Sequence, residues 1–220
     1  MGYYPIILDI TDKNCLVVGG GAVATRKAKS LLEGEANVTI VSLEFTAELK
    51  LMAEKGELKI IKKGYDSLDI DKMFLVIGAT DNEALNLKIY EDAKARNLLC
   101  NIVDFPKGCN FILPSVIKRG DLMVSISTSG KSPAFARYLR EKFENNFGIE
   151  YEIFLKLMGS IRTKLLLQAK SPEIHKNTFL KLIESDILEN IKLNKINKIN
   201  EILRQILGEG YIFEELIQIS

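Results

Sequence analysis

Three consecutive glycines, Gly19 to Gly21, constrain the fold of this chain more strongly than any other feature of its sequence. A short, continuous apolar run at residues 15–18 precedes them, as in a strand that is buried on both faces. Residues 22–32, which follow, carry apolar side chains at the three- and four-residue spacing of a helix face. A strand, a tight glycine turn and a helix in this order predict the first βαβ unit of a parallel sheet.

The same alternation continues to residue 103. Strand-like runs lie at residues 38–41, 58–61, 74–77 and 98–103, and helix-like segments lie at residues 45–53 and 82–96. Buried strands that alternate with amphipathic helices predict an α/β fold with a Rossmann-type, doubly wound parallel sheet. Prolines and glycines then interrupt the chain before a strand at residues 122–127, which we expect at a sheet edge or in an insertion.

The remainder of the chain changes character. Ser132 and Pro133 are typical of a helix start, and from about residue 149 the pattern is almost wholly helical. We therefore predict a nucleotide-binding domain at residues 1–110, a small mixed segment at 111–148 and an α-helical C-terminal domain at 149–220. An apolar seam in that domain is formed by Ile196, Ile199, Leu203 and Ile206.

Composition narrows the function to specific small-molecule chemistry. The formal net charge is +1, so no chain-wide field attracts nucleic acid or anionic lipid. No apolar run is long enough to span a membrane, and the start of the chain lacks the basic segment of a secretory signal. Cys15, Cys100 and Cys109 are too few and too scattered for a disulfide framework, which favours a cytoplasmic location.

The glycine turn has the spacing of the dinucleotide-binding fingerprint. Gly19 would allow the tight turn, Gly21 would let a pyrophosphate approach the backbone, and Ala24 would allow close packing of the helix on the strand. The positive N-terminal end of the helix would then bind the phosphates. The alternative is a tight turn with a purely structural role.

Two further segments are expected at the carboxyl edge of the sheet, beside the cofactor. Glu44 is the first acid after the second strand, where it either accepts the ribose hydroxyls or only caps the next helix. No Arg or Lys lies at residues 42–46, which favours NAD over NADP. Thr80 and Asp81 follow the fourth strand, in a segment that can equally serve to cap the next helix at Asn82.

A carboxylate and a hydroxyl-rich loop complete the candidate site. Asp104 should emerge from the fifth strand at the same edge as the glycine turn, as a proton acceptor or as a cap of the turn that follows. The loop at residues 127–132 and the start of the next helix suit an anionic ligand, although Arg137 and Arg140 also have acidic i,i+4 partners. The candidate ligand-binding residues of this segment are Ser127, Thr128, Ser129, Lys131, Ser132 and Arg137.

These residues carry a resemblance to a known family. The runs Asn101-Ile-Val-Asp104, Phe111-Ile-Leu-Pro-Ser115 and Ile126-Ser-Thr-Ser-Gly-Lys-Ser-Pro133 resemble the precorrin-2 dehydrogenase family, which includes the N-terminal part of sirohaem synthases. The glycine turn and the run Ala79-Thr-Asp-Asn-Glu-Ala-Leu-Asn86 agree with the same family. The resemblance covers about residues 4–147, and the helical tail matches in character only.

The resemblance implies NAD-dependent oxidation of precorrin-2 to sirohydrochlorin, with Asp104 as the essential carboxylate. It implies that Ala22, Val23, Leu43 and Glu44 contact NAD, and that residues 127–129 lie near the tetrapyrrole. It also implies a homodimer to which the helical tail contributes, and the seam described above is compatible with that role.

Three alternatives remain open. Some members of the family also insert ferrous iron, but the only histidine, His175, lies in the divergent tail, and we expect no metal ligands. Tyr138 and Lys142, with Ser125 upstream, mimic the catalytic set of short-chain dehydrogenases. A regulatory domain that senses NAD without catalysis would need the glycine turn, but neither Asp104 nor the loop at residues 127–132.

Overall fold

The computed structural model of the chain describes residues 2–167 and 172–218. The chain forms two compact units, Met1–Leu113 and Pro114–Ser220. Within the second unit, the finer division at residue 148 stays a prediction.

The first unit contains a five-stranded parallel sheet with the spatial order β3-β2-β1-β4-β5. The chain winds outward from β1 to β3 and then returns to begin the other half at β4, so the doubly wound, Rossmann-type class is confirmed. The strands are β1 (Asn14–Val18), β2 (Asn37–Ser42), β3 (Lys59–Lys62), β4 (Leu75–Gly78) and β5 (Leu99–Ile102). The helices that connect them are α1 (Ala22–Leu32), α2 (Ala47–Glu54) and α3 (Glu83–Ala95).

Burial on both faces explains why the strands are continuously apolar. Cys15 and Val17 of β1 belong to a core that includes side chains of α1 and α2. The alternate residues, Leu16 and Val18, belong to a second core that includes Ile89 of α3. Because successive side chains of a strand point to opposite faces, a strand between two helical layers needs an apolar residue at every position.

The same burial makes a prediction about the cysteines. Burial raises the pKa of Cys15 to about 11 and that of Cys100 to about 12. The thiolate is the reactive form, so near pH 8 we expect alkylation of both to be at least roughly a hundredfold slower than that of free cysteine. Mass spectrometry of the alkylated chain measures this for each residue, with the unfolded chain as the control. Rapid labelling of Cys15 or Cys100 in the folded chain would contradict the burial described here.

In the second unit, β6 (Ser115–Arg119) and β7 (Leu122–Ile126) form a separate antiparallel hairpin, against which α4 (Pro133–Glu144) packs. The sequence pattern identified β7 but not β6. The predicted helix start is confirmed, because the Ser132 hydroxyl accepts the Phe135 N–H at 3.2 Å. At the other end of α4, the Arg119 guanidinium donates to the carbonyl oxygen of Glu144, the last residue of the helix, at 3.4 Å and to that of Phe147 just beyond it at 2.7 Å. These bonds fix α4 at both ends.

The rest of the second unit is helical. Its core includes Leu157, Ile161, Leu182 and Ile187, all fully buried. The helices are α5 (Glu150–Leu166), α6 (Pro172–Ile183), α7 (Ile187–Lys192), α8 (Ile196–Leu207) and α9 (Phe213–Gln218). Among the described residues, no helix is long and apolar enough to cross a membrane.

The apolar seam of α8 faces the core of its own chain. Ile199 and Leu203 are fully buried within this chain, and Ile196 and Ile206 pack against the same core. The seam is therefore the inward face of a helix in the chain's own core. The seam therefore gives no support of its own to a dimer interface, because an apolar spacing shows that a face is covered but not by what.

Candidate functional site

A row of three hydrogen bonds ties together the carboxyl ends of the strands. The Gly19 N–H donates to the Val41 carbonyl at 2.9 Å, and the Ala79 N–H donates to the Val18 carbonyl at 2.8 Å. The Val103 N–H donates to the Gly78 carbonyl at 2.9 Å. The segments that follow β1, β2, β4 and β5 therefore begin side by side at one edge of the sheet. Ligands of open α/β sheets bind at this edge, near the switch between β1 and β4.

The three glycines of the turn serve different purposes. Gly19 has a φ of +122°, and a side chain there would collide with the Ala79 carbonyl. A side chain at Gly20 would collide with the Glu44 carbonyl, since the β2–α2 loop packs directly on the turn. A Cβ at Gly21, in contrast, would have no heavy atom within 4 Å. Gly19 and Gly20 are needed by the fold itself, whereas Gly21 leaves open space above the backbone.

That open space fits the pyrophosphate of a dinucleotide. Gly21 is the N-cap of α1 and offers no side chain to the free N–H groups of the first helical turn, which begins with Ala22 and Val23. The first turn also contains no acidic residue that would repel a phosphate. Backbone N–H groups and the positive end of a helix, with no Cβ in the way, are the usual binding site for such an anion.

The β2–α2 loop places Leu43 and Glu44 against this turn. Both side chains are exposed, and the loop is held by a hydrogen bond from the Thr46 N–H to the Gly20 carbonyl at 2.9 Å. Thr46 is the residue that caps α2, because its hydroxyl accepts the Leu49 N–H at 3.3 Å. Glu44 is therefore not the N-cap residue of α2. The side chain of Glu44 forms no ion pair in the described part of the chain, which leaves its carboxylate available to ribose hydroxyls.

The β4–α3 loop is held by its own polar side chains. The predicted cap is confirmed, since the Asn82 side chain accepts the Leu85 N–H at 2.9 Å. The Thr80 hydroxyl is 2.9 Å from the side-chain oxygen of the buried Asn86, whose amide donates to the Thr80 carbonyl at 2.9 Å. Thr80 is thus tied into the loop, whereas the side chain of Asp81 is exposed at the edge of the sheet.

Asn86 gives a prediction about this loop. In the variant Asn86→Leu, both bonds to Thr80 are lost, and the part-buried carbonyl of Thr80 lacks its donor. We expect the free energy of unfolding to fall by about 1–3 kcal/mol. Chemical denaturation measures the loss, with Asn197→Leu on the exposed side of α8 as the control. Equal stability of the two variants would show that the bonds do not hold the loop.

Asp104 lies two residues beyond β5, at the same edge as the glycine turn, so its predicted placement is confirmed. Its φ is +60°, a left-handed conformation that few residues other than Gly, Asn and Asp adopt. Its side chain is exposed and forms no hydrogen bond to any described residue. The short 3₁₀ helix that follows starts at Pro106 without a side-chain cap, so the capping alternative for Asp104 is wrong.

The hydroxyl-rich loop of the second unit forms a compact turn. The hydroxyl of Ser127 accepts the Ser129 N–H at 3.1 Å, and that of Thr128 accepts the Ser132 N–H at 3.0 Å. Ser129 has a φ of +53°, and its side chain is exposed, as is that of Lys131. Arg137 forms the expected i,i+4 pair with Glu141 at 2.9 Å. The loop therefore presents an exposed cation and an exposed hydroxyl on a fixed backbone.

Two rival sites gain no support. Tyr138 and Lys142 lie on α4 and Ser125 lies on β7, so this trio belongs to the hairpin unit and not to the parallel sheet. Within residues 2–167 and 172–218, no three His, Cys, Asp or Glu side chains cluster as metal ligands would. His175 lies on α6, and its Nε2 atom is buried without a hydrogen-bond partner among the described residues.

The sheet order, the glycine turn and the open helix terminus define a Rossmann-type nucleotide-binding protein. Residues 6–115 match a family described as putative NAD(P)-binding, and residues 119–146 match the central part of sirohaem biosynthesis proteins. The chain belongs to this NAD(P)-binding family.

Individual relatives point in the same direction. The siroheme synthases of Escherichia coli O139:H28 (strain E24377A / ETEC) and Escherichia coli (strain SE11) are each 37% identical over 210 residues, which is 95% of this chain and 46% of theirs. The chain thus spans about half the length of these curated relatives. The solved structure of SirC, a precorrin-2 dehydrogenase, matches with a TM-score of 0.78 and 26% identity, and the match covers 93% of this chain and 98% of that chain. These matches confirm the resemblance inferred from the sequence.

Sequence reasoning missed several residues that shape the site. The fingerprint spacing assigns no role to Gly20, although a side chain there would collide with the Glu44 carbonyl. Thr46 could have been found, because a threonine before a helix is a common cap. Thr25 of α1 is buried, and its hydroxyl lies 2.9 Å from that of Thr46. The partnership of Thr25 and Thr46, like that of Asn86 and Thr80, leaves no signal in a single sequence.

Proposed function

We propose that this chain catalyses the NAD-dependent oxidation of precorrin-2 to sirohydrochlorin in sirohaem biosynthesis. The observation that carries the proposal is that Asp104, whose exposed carboxylate has no hydrogen bond to any described residue, lies at the same sheet edge as the glycine turn. The likeness to SirC over nearly the whole of both chains supports the assignment of the reaction.

Gly21, Ala22 and Val23 hold the pyrophosphate of the cofactor through backbone N–H groups, and Gly19 forms the tight turn beneath it, because its own N–H is already donated to the Val41 carbonyl. Leu43 packs against the adenosine, and Glu44 accepts hydrogen bonds from the ribose hydroxyls. NAD is the preferred cofactor, because a 2′-phosphate would approach the Glu44 carboxylate. Thr80 and Asp81 border the cofactor from the neighbouring loop, Thr80 by fixing the backbone and Asp81 with its exposed side chain.

Asp104 acts as the general base. When bound, NAD supplies the hydride acceptor of the reaction. Removal of two hydrogens from the reduced macrocycle then leaves a proton to be taken up, and a free carboxylate can accept it. The left-handed backbone at Asp104 fixes the direction in which this carboxylate leaves the sheet edge.

The loop at residues 127–132 binds the carboxylates of the substrate. Lys131 and the hydroxyl of Ser129 contact them directly. Ser127 and Thr128 hold the loop in shape by accepting two of its N–H groups, and Ser132 joins it to α4 by accepting the Phe135 N–H. Arg137 adds a second positive charge near the helix start, moderated by its pair with Glu141.

The chain works as a homodimer in the cytoplasm. The outer face of the hairpin supports dimerisation, because Val116 and Met123 are exposed there, on a two-stranded sheet whose free edges can pair. Free cysteines that are buried or half-buried, without a disulfide among them, suit a reducing compartment.

The test is direct. We expect the purified chain to convert precorrin-2 to sirohydrochlorin under anaerobic conditions when NAD is added, and not when it is omitted. The absorbance of sirohydrochlorin reports the product, and a parallel reaction with ferrous or cobalt ions reports metal insertion. Product formation without NAD, or none with it, rejects the proposal.

A further inference from the structure

Strand β3 places a lysine beside the β2–α2 loop, where the ribose of a bound dinucleotide would lie. The loop itself contains no basic residue. β3 pairs with β2 in parallel, and Lys62 is the direct partner of Ser42, the last residue of β2. Adjacent strands lie about 4.8 Å apart, so Lys62 is a close neighbour of the segment that carries Leu43 and Glu44. Nothing in the sequence between β2 and α2 reveals this cation.

The two partner side chains leave the sheet on the same face. Residues paired in a parallel ladder point the same way, and the Ser42 hydroxyl would lie 3.0 Å from a Cβ at Gly20. Ile60, two residues before Lys62, belongs to the core below α1 and α2. Lys62 therefore lies on the side of the sheet that carries the glycine turn and the first turn of α1.

Lys62 is also a basic residue at this corner of the sheet that has no ion pair with any described residue. Lys63 is bound by Asp69 at 2.6 Å, and Lys29 is bound by Glu48 at 2.5 Å. In the described ranges, neither the exposed ammonium of Lys62 nor the carboxylate of Glu44 takes part in an ion pair. Lys62 and Glu44 thus flank, with opposite charges, the place where the ribose of a dinucleotide would lie.

We infer that Lys62 binds the 2′-phosphate of NADP, and that NADP is therefore a second dinucleotide ligand of this chain beside NAD. This inference rests on the proposed function of the glycine turn. A lysine is a flexible point charge that can reach a dianionic phosphate, whereas Glu44 repels that phosphate and prefers the free hydroxyls. Because Lys62 attracts the 2′-phosphate and Glu44 repels it, the discrimination between NAD and NADP is weak.

The experiment measures the dissociation constants of NAD and NADP by calorimetry with the full chain. In Lys62→Gln we expect NADP to bind about three- to tenfold more weakly and NAD to bind as before. Lys59→Gln is the matched control, because Lys59 is an equally exposed lysine at the amino end of the same strand, about 10 Å away. The control should change neither constant.

Glu44→Gln provides a second measurement in the opposite direction. Removal of its negative charge should strengthen NADP binding and weaken NAD binding, and added salt should weaken NADP binding more in the wild type than in Lys62→Gln. The inference is overturned if NAD binds but NADP does not, if Lys62→Gln leaves NADP binding unchanged, or if Lys59→Gln weakens it equally. If neither dinucleotide binds, both the proposed function and the inference about Lys62 fail.

Discussion

Replacement of Asp104 by asparagine should lower kcat/KM for precorrin-2 oxidation by about 10²–10⁴-fold, which is the usual contribution of a general base. Asparagine has the shape of aspartate and tolerates the left-handed backbone, so the variant should fold normally. It lacks only the ability to accept the proton. Steady-state kinetics with precorrin-2 and NAD measure the loss, and calorimetry should find NAD binding unchanged.

Asp12 offers a matched control for this variant. It is also an exposed aspartate with a left-handed backbone, at φ +57°, but it precedes β1 and so lies at the opposite, amino end of the sheet. Asp12→Asn should retain full activity. If Asp104→Asn kept full activity while binding NAD, Asp104 would not be the base, and a domain that only senses NAD would become the better account.

Neighbouring glycines of the turn should respond to substitution in opposite ways. In Gly21→Val the added Cβ enters open space, so the free energy of unfolding should fall by no more than about 1 kcal/mol, the usual cost of an apolar residue at an N-cap. The same side chain occupies the place of the pyrophosphate, so NAD binding should fall by about a hundredfold or more, since several charge-assisted hydrogen bonds are lost.

Gly20→Val should instead act mainly on the stability of the fold. The side chain must displace the Glu44 carbonyl and with it the β2–α2 loop, and we expect a loss of several kcal/mol in the free energy of unfolding. Thermal denaturation and calorimetry, applied to both variants, separate the two effects. Equal loss of stability in Gly20→Val and Gly21→Val would show that the turn has no open side for a ligand.

The sequence predicts the first unit well because local chemistry determines it. Helix α1 begins and ends at the residues expected, since a glycine turn precedes it and its apolar face is regular. The caps at Asn82 and Ser132 also follow from neighbouring residues. The placement of Asp104 follows from topology alone, because all carboxyl ends of a parallel sheet meet at one edge.

What the sequence does not predict depends on partners far apart in the chain. Strand β6 was missed because its pairing with β7, rather than its own short apolar pattern, defines it. The role of Gly20 depends on Glu44, and the position of Lys62 depends on its register with Ser42. The apolar spacing of α8 does not show what covers the seam, because the same spacing occurs in a helix that packs against another chain and in one that packs in the core of its own.

The stoichiometry of electron transfer tests the central claim most directly. The purified chain, with precorrin-2 and excess NAD in the absence of oxygen, should form one NADH for each sirohydrochlorin, followed by absorbance in a single reaction. This result shows that NAD, and not another oxidant, accepts the two electrons of the oxidation. Sirohydrochlorin that accumulates without a matching amount of NADH would contradict the account.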